Sequence, residues 1–254
     1  MASTALLQFV TVSGLSDLPA ASSLILAIDA ASSLCSAVLW DGGSGAGRLA
    51  AQVERQGPTG EAALLPRMVA DLLAGNGRSV GELGAVAVNV GPGSFTGLRA
   101  SIAVAHGLAI GAGLPVIPVT MAEALSIAAA PAEDPVEVWC ALDARNGRVF
   151  LHRGGAPEAW SVVEIVDPPL PAGPVLLTGD GAPALGAALE SAGVTLRVST
   201  ARQSHAAAVA QAAMQRRAGL LARLAPVPLY IDPPRALLPR GGLRPPPQGW
   251  SAGP

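Results

Sequence analysis

The chain has 254 residues, with 16 basic and 18 acidic side chains, and every basic residue is an arginine. The absence of lysine excludes Schiff-base and pyridoxal chemistry, and it excludes the phosphate-binding P-loop, because all three depend on a lysine amine. Charged residues make up only 13% of the chain, which excludes a solvated, disordered chain over most of its length. A chain of this length can bury a sizeable core in one large or two small domains.

The charges are unevenly distributed. Residues 1–190 carry 8 arginines and 17 acids, whereas residues 191–254 carry 8 arginines and a single acid, Asp232. A basic C-terminal quarter favours an acidic partner such as RNA, or it serves to keep a terminal helix and its tail soluble. The quarter lacks the interleaved aromatic residues on which single-stranded RNA readers stack bases.

The cysteines and the apolar segments indicate a cytoplasmic protein. Cys35 and Cys140 form neither a CxxC motif nor a disulfide framework, which is typical of a reducing compartment. Residues 1–23 lack the basic region of a signal peptide, and we expect them to be a disordered extension. The longest uncharged run, residues 100–122, contains glycines and prolines and is better explained as a helix followed by a strand than as a membrane span.

The first half of the predicted fold lies between residues 24 and 131. Strands are predicted at 24–30, 35–41, 48–55, 85–90 and 115–119, from their apolar and β-branched residues. Two helices are predicted, at 65–73 and 98–112. The first has apolar residues at the i, i+3, i+4 and i+7 positions, Leu65, Met68, Val69 and Leu72.

The second helix carries two stripes of different character. Leu98, Ile102, Ala105 and Ala109 form an apolar stripe, while Ala100, Ala103, Gly107 and Gly111 form a stripe of small residues. Small residues permit the close approach of a second backbone, so we expect this helix to pack against two different surfaces.

The pattern begins again in residues 132–236. Strands are predicted at 136–142, 147–153, 160–166, 175–178 and 194–198, with helices at 182–192 and 204–224. Two successive units of strand–strand–strand–helix–strand–helix predict a duplicated α/β fold of two subdomains with a cleft between them. The hinge is expected at 131–135, and the Pro- and Arg-rich residues 237–254 are expected to form a disordered tail.

The most distinctive motif is a glycine-rich turn from a strand into a helix, which is a geometry that binds anions. It lacks the lysine of a P-loop, and a structural turn in which Ser94 or Thr96 caps the helix is an equally good interpretation. The candidate residues are Gly91, Pro92, Gly93, Ser94, Phe95, Thr96, Gly97 and Arg99.

Two further turns carry acidic side chains. Asp29 ends the first strand, ahead of Ser32, where actin-like nucleotide-binding folds place an acid near metal-bound phosphates. Ala30 and Ala31 stand where a flexible glycine would help, which weakens this interpretation. Asp143 and Arg145 lie at the corresponding turn of the second half, where the alternative is a local ion pair of little energetic value.

The histidines give no metal site. His106, His152 and His205 are isolated in the sequence, without an HxxxH, HExxH or Cys/His cluster. We therefore expect no metal and no catalytic residue of this kind.

Several segments together resemble the TsaB (YeaZ) family. They are LILAIDAASSLCSAVLW, EAALLPRMVADLL, VNVGPGSFTGLRASIAVAHGLA, DARNGRVF and PVPLYI, and the resemblance runs from about residue 24 to 236. It implies an actin-like ATPase fold that has lost its own catalysis. It also implies a scaffold that activates a TsaD-type transferase, which makes threonylcarbamoyladenosine at position 37 of ANN-decoding tRNAs.

The resemblance also implies partners and an interface. The two N-terminal helices are expected to pair with the TsaD-type transferase, and a TsaE-type ATPase docks on the assembly, which engages tRNA. The interface residues on this view are Leu65, Met68, Val69, Leu72, Leu98, Ile102 and Ala105. ATP is used by the partner subunits, no cofactor is firmly implied for this chain, and weak nucleotide binding and a homodimer are left open.

Some residues depart from the family pattern. Gly60 stands where many relatives have a histidine, and Asp232 where an arginine is common. The alternative to a scaffold is an active actin-like nucleotide hydrolase or kinase that uses Asp29 and the loop 91–97.

Overall fold

The computed structural model describes residues 8–11, 23–43, 47–57, 61–129 and 137–231. They form two mixed β-sheets with helices packed on their faces. Most of the N-terminal extension predicted for 1–23, the hinge predicted at 131–135 and the tail predicted for 237–254 lie outside the described residues.

The first sheet has the strand order β1-β4-β3-β2-β5-β6. Its central strand, β2, is antiparallel to β3 and parallel to β5, and all six of its residues are buried. An uninterrupted apolar run such as LILAI is typical of a strand that is covered on both faces. The strands are β1 Gln8–Thr11, β2 Leu24–Asp29, β3 Leu34–Asp41, β4 Arg48–Gln56, β5 Ala85–Gly91 and β6 Val116–Thr120.

The second sheet repeats this arrangement, in the order β11-β10-β7-β8-β9. Strand β7 takes the place of β2, since it is antiparallel to β8 and parallel to β10. The predicted duplication is therefore confirmed. The strands are β7 Glu137–Asp143, β8 Arg148–His152, β9 Trp160–Glu164, β10 Val175–Thr178 and β11 Leu196–Val198.

Five helices cover the sheets: α1 Leu65–Gly75, α2 Phe95–Ala112, α3 Met121–Ala128, α4 Ala182–Ser191 and α5 Ala206–Arg217. Helices α1 and α2 lie side by side on one face of the first sheet, and α3 and α5 cover its other face. Helix α5 follows the second sheet in the chain but packs on the first sheet, so chain order and spatial grouping differ here.

Several predicted boundaries need correction. Helix α2 begins at Phe95 rather than at Leu98, because Ser94 caps it. Helix α5 ends at Arg217 rather than at residue 224, since Gly219 adopts a positive φ of 76° that a helix cannot continue through. Helix α3 and strand β1 were not predicted.

Helix α3 nevertheless carries a sequence signal. Thr120 and Glu123 form a reciprocal capping box, in which each side chain accepts a hydrogen bond from the other residue's backbone N–H. A Thr-x-x-Glu pattern ahead of an apolar run is a signature of a helix start.

The seven side chains predicted for the partner interface do not lie on the surface of the chain. Leu65, Met68, Val69, Leu72, Leu98, Ile102 and Ala105 are all buried within the chain, with exposed fractions of 7% or less. They pack in the chain's own apolar core, most of them with the first sheet. An apolar stripe at helical spacing shows that a face is covered, but it does not show what covers it.

Helix α2 is also the one described helix whose length and composition would suit a membrane span. Six of its residues are buried in the fold, including Leu98, Ser101 and Ile102, and strand β6 follows it as predicted. The run 100–122 is thus a helix and a strand of an α/β fold.

A largely buried ion pair joins α3 to α5. The Arg216 guanidinium binds the Glu123 carboxylate and also donates to the carbonyl oxygen of Pro118, and its side chain is only 9% exposed. We expect Arg216→Met to lower the free energy of unfolding by about 3 kcal/mol, because it leaves a buried carboxylate without its partner.

The matched control is Arg67→Met. Arg67 pairs with Asp71 on the surface of α1, with 81% of its side chain exposed, so its loss should leave the free energy of unfolding nearly unchanged. Urea unfolding of both variants measures the difference. Equal effects of the two substitutions would show that the buried pair contributes no more than the surface pair.

Candidate functional site

The loop between β5 and α2 is pressed against the end of β2. Ser94 N–H donates to the carbonyl oxygen of Ala31 at 2.7 Å, and Gly91–Pro92 is a cis peptide bond. A Cβ atom at Gly93 would lie 2.3 Å from the Ala31 carbonyl oxygen, and one at Gly97 would lie 1.8 Å from the Ala30 carbonyl oxygen. Both glycines are therefore required by the close approach of two backbone segments.

The same contacts reduce the capacity of the loop to bind an anion. The Ser94 hydroxyl oxygen accepts a hydrogen bond from Gly97 N–H at 3.3 Å, and Ser94 N–H is already bonded to Ala31. Backbone N–H groups bind phosphate at a helix N-terminus only when they are free. Ser94 is thus the helix cap, as one of the two sequence interpretations proposed.

A cleft of about 670 Å³ opens beside this loop, between the two halves. It brings together residues predicted from both turns and from the loop, namely Ser32, Pro92, Gly93, Ser94, Thr96, Gly97, Asp143 and Arg145. Asp29, Gly91, Phe95 and Arg99 are not among its lining residues. Asp180, Arg202 and Gln203 also line the cleft, and they were not predicted.

Asp29 lies beneath the cleft and is fully buried. Its carboxylate accepts hydrogen bonds from Ala31 N–H at 2.9 Å, from the Asn89 side-chain amide at 3.1 Å and from the Ser204 hydroxyl. Burial raises the pKa of Asp29, although these three donors and His205 oppose the rise. A carboxylate held in this way holds the fold together and does not face a ligand in the cleft.

The turn of the second half has a different electrostatic character. The Asp143 carboxylate accepts from Arg145 N–H at 2.8 Å, so the predicted ion pair between their side chains is replaced by a side-chain-to-backbone bond. Asp143 N–H donates to the Asp180 carboxylate at 2.9 Å. Partial burial and the neighbouring Asp143 charge raise the pKa of Asp180, while backbone N–H groups oppose the rise. Two carboxylates thus stand opposite the glycine-rich loop.

Possible metal ligands do not cluster in the described part of the chain. The described residues contain no group of three or more His, Cys, Asp or Glu side chains placed to hold a metal ion. His106 instead donates from Nε2 to the carbonyl oxygen of Pro226 at 3.0 Å.

Several known proteins are similar to parts of this chain. The segment 61–161 matches the family described as "TsaD: tRNA N6-adenosine threonylcarbamoyltransferase". The chain is 40% identical over 126 residues to the Escherichia coli "tRNA threonylcarbamoyladenosine biosynthesis protein TsaB", covering 50% of this chain and 52% of that protein. It is 41% identical over 88 residues to the Haemophilus influenzae protein of the same name, covering 35% of this chain and 37% of that protein.

The solved structure of YeaZ from Pseudomonas aeruginosa superposes with a TM-score of 0.61 at 26% identity, covering 82% of this chain and all of that one. Together these likenesses support the TsaB (YeaZ) family. The fold of the chain is the duplicated, actin-like ATPase type. The matched segment spans about half the length of the E. coli relative, and less of the other.

The internal duplication of the sequence could have predicted Asp180 as a residue of the cleft. Strand β10 corresponds to β5, so Gly179-Asp180-Gly181 occupies the place of the glycine-rich loop in the second half. A Cβ at Gly179 would lie 2.3 Å from the Ala141 carbonyl oxygen, which repeats the contact of Gly93 with Ala31. Aligning the two halves of the sequence would have placed Asp180 in the cleft.

The close approach of the loop to β2 predicts a large difference between two glycines of the same helix. Gly97→Ala should lower the free energy of unfolding by about 2–3 kcal/mol, since the backbone must move to admit the methyl group. Gly107→Ala should raise it by about 0.5–1 kcal/mol, because a Cβ there meets nothing within 4 Å and alanine favours a helix. Thermal or urea unfolding measures both, and equal effects would contradict the geometry.

Burial of Asp29 predicts a pH dependence. A carboxyl group whose pKa is higher in the folded than in the unfolded chain contributes stability that is complete below pH about 4 and is lost as the pH rises through the folded pKa. The free energy of unfolding of the wild type, minus that of Asp29→Asn, should therefore fall as the pH is raised from about 4.

The measurement is urea unfolding of both chains over a series of pH values. Asp71→Asn is the control for loss of an exposed carboxylate. A difference that rises with pH for Asp29→Asn would mean that the three hydrogen bonds favour the charged form more than burial disfavours it.

Proposed function

We propose that this chain is a non-catalytic partner subunit in the synthesis of threonylcarbamoyladenosine at position 37 of tRNA, and that it activates a TsaD-type transferase. Its relatives from E. coli and H. influenzae are named as biosynthesis proteins for this nucleoside. The chain would work in the cytoplasm, where tRNA is modified.

The observation that carries the proposal is the position of the transferase-like segment. Residues 61–161 match the TsaD family, and this segment contains both α1 and α2. Two proteins of similar fold can meet through equivalent surfaces, in an arrangement close to a twofold dimer. A chain that resembles the transferase in its α1–α2 pair is suited to dock on the same pair in the transferase.

The outward surface of these helices supports such docking. Ala103, Gly107, Ile110 and Gly111 are exposed on α2, and Ile110 has 82% of its surface accessible. Ideal Cβ atoms at Gly107 and Gly111 would meet nothing within 4 Å. These residues include most of the predicted small-residue stripe. We therefore assign the proposed interface to this exposed stripe instead of the buried apolar one.

The cleft supports the absence of a catalytic role. The glycine-rich loop has Ser94 N–H occupied, Asp29 is buried beneath it, and Asp143 and Asp180 stand on the opposite side. The alternative, an active hydrolase or kinase that uses Asp29 and the loop 91–97, lacks a free carboxylate at Asp29.

On this proposal the other activities belong to partners. A TsaE-type ATPase consumes ATP, and tRNA is held by the assembly. The exposed stripe of α2 would also allow two copies of this chain to pair when the transferase is absent.

The proposal predicts that charge on the exposed stripe prevents pairing. Ala103→Arg should abolish co-elution with a TsaD-type transferase and reduce transfer of the threonylcarbamoyl group to tRNA by at least about tenfold, because a buried, unpaired charge opposes docking. Ala187→Arg on the exposed surface of α4 is the matched control and should leave both unchanged.

The measurements are size-exclusion chromatography and tRNA modification with purified partners, with one arm that omits this chain. Modification that proceeds equally without the chain would contradict the proposal. ATP turnover by the pure chain that is lost in Asp29→Ala would favour the hydrolase or kinase instead.

A further inference from the structure

Two side chains of α2 and one from a distant segment converge beside the N-terminal turn of α2. The Arg99 guanidinium lies 3.8 Å from the centroid of the Phe95 ring and 5.8 Å from that of Tyr230. The two rings are 5.9 Å apart, and Arg99 Nε donates to the Tyr230 hydroxyl at 2.9 Å. We call Phe95, Arg99 and Tyr230 the aromatic cluster.

The aromatic cluster is brought together by the segment 225–231, which we call the strap. Leu229 N–H donates to the carbonyl oxygen of Val90 at 2.8 Å, and the carbonyl oxygen of Pro226 accepts from His106. The strap therefore runs beside α2 and is held at Pro226 and Leu229 by bonds that do not involve the cluster. These bonds do not require the side chains of the cluster to be exposed.

The rings and the charge of the cluster face solvent. Phe95 is 51% exposed and Tyr230 is 46% exposed. Within the described part of the chain, no carboxylate forms an ion pair with Arg99. Its Nε is engaged with Tyr230, which leaves the terminal nitrogens of the guanidinium as donors for another molecule.

The charge of the cluster and the composition of the sequence that follows it favour a polyanion. Arg99 is the single charged residue of α2, and the sequence that follows Tyr230 contains Arg235, Arg240 and Arg244 against one acid, Asp232. Planar rings beside an unpaired arginine are the combination on which single-stranded RNA stacks its bases and places its phosphates. The basic C-terminal quarter contributes Tyr230, and the fold adds a second ring by placing Phe95 against it.

We propose that the aromatic cluster of Phe95, Arg99 and Tyr230 is a stacking platform for an unpaired base of RNA, with Arg99 donating to an adjacent phosphate. The RNA class rests on the proposed function, in which tRNA is the molecule modified. The cluster lies on α2 one turn before Ala103, at the edge of the proposed docking stripe, so RNA held there would border the transferase.

The test measures binding of a fluorescein-labelled anticodon stem-loop RNA by fluorescence anisotropy, with the full chain alone and in complex with a TsaD-type transferase. Phe95→Leu and Tyr230→Leu should each weaken binding about tenfold, which is the size expected for loss of one stacked base. Arg99→Gln should weaken binding and lower the slope of log affinity against log salt by about one.

Three controls separate stacking from general effects. Tyr230→Phe keeps the ring and should bind nearly as the wild type does. Arg197→Gln removes an exposed arginine of β11 in the second sheet and should leave binding by the cluster unchanged. A blunt RNA duplex without unpaired bases should bind more weakly than the stem-loop and should not distinguish Phe95→Leu from the wild type.

Two outcomes would overturn the inference. Equal binding of the stem-loop by the wild type and all three cluster variants would show that RNA does not use these side chains. Loss of co-elution with the transferase in Phe95→Leu, with RNA binding retained, would assign the cluster to the protein interface. Either result leaves the proposed function standing if modification still requires the chain, so the two hypotheses fail separately.

Discussion

The buried carboxylate of Asp29 holds together segments that are far apart in the chain. It ends β2, accepts from Asn89 on β5 and from Ser204 ahead of α5, and these partners lie 60 and 175 residues away. Asn89 in turn accepts from Gly91 N–H at 2.8 Å, which sets the start of the glycine-rich loop. A buried carboxyl group is costly unless it is hydrogen-bonded, so this network fixes the loop, the first sheet and the C-terminal helix relative to one another.

The layout of the cleft and the roles of its side chains indicate different functions. The duplicated sheets bring residues from the turns of both halves to one cleft, as in a nucleotide-binding fold. Yet the carboxylate nearest the first turn serves the core, and the second turn presents Asp143 and Asp180 to the cleft. Gly93 and Gly97 are required because the loop touches the carbonyl oxygens of Ala31 and Ala30, a steric need that is independent of any phosphate. The glycines of this loop can thus be explained by packing alone.

The sequence could predict what depends on local pattern, and it could not predict what depends on distant contacts. The described strands other than β1 and the helices α1, α2 and α4 followed from runs and periodicity. Periodicity also located Leu65 and Ile102 on an apolar face, but the covering surface, the chain's own sheet, becomes visible only in the fold. Asp180, Ser204 and Tyr230 were missed because each acts through a residue more than 30 positions away.

Helix α2 shows how one element can serve several neighbours without conflict. Its buried stripe packs on the first sheet, its flank at His106 and Arg99 carries the strap, and its small residues remain exposed. Ionisable side chains on the small-residue stripe would obstruct a second helix, and this stripe has none. The one arginine, Arg99, stands near the N-terminal end of the helix, where it contacts Tyr230 of the strap. Confining charge to that end keeps the remaining surface apolar enough to dock on another helix, since docking there desolvates no charge.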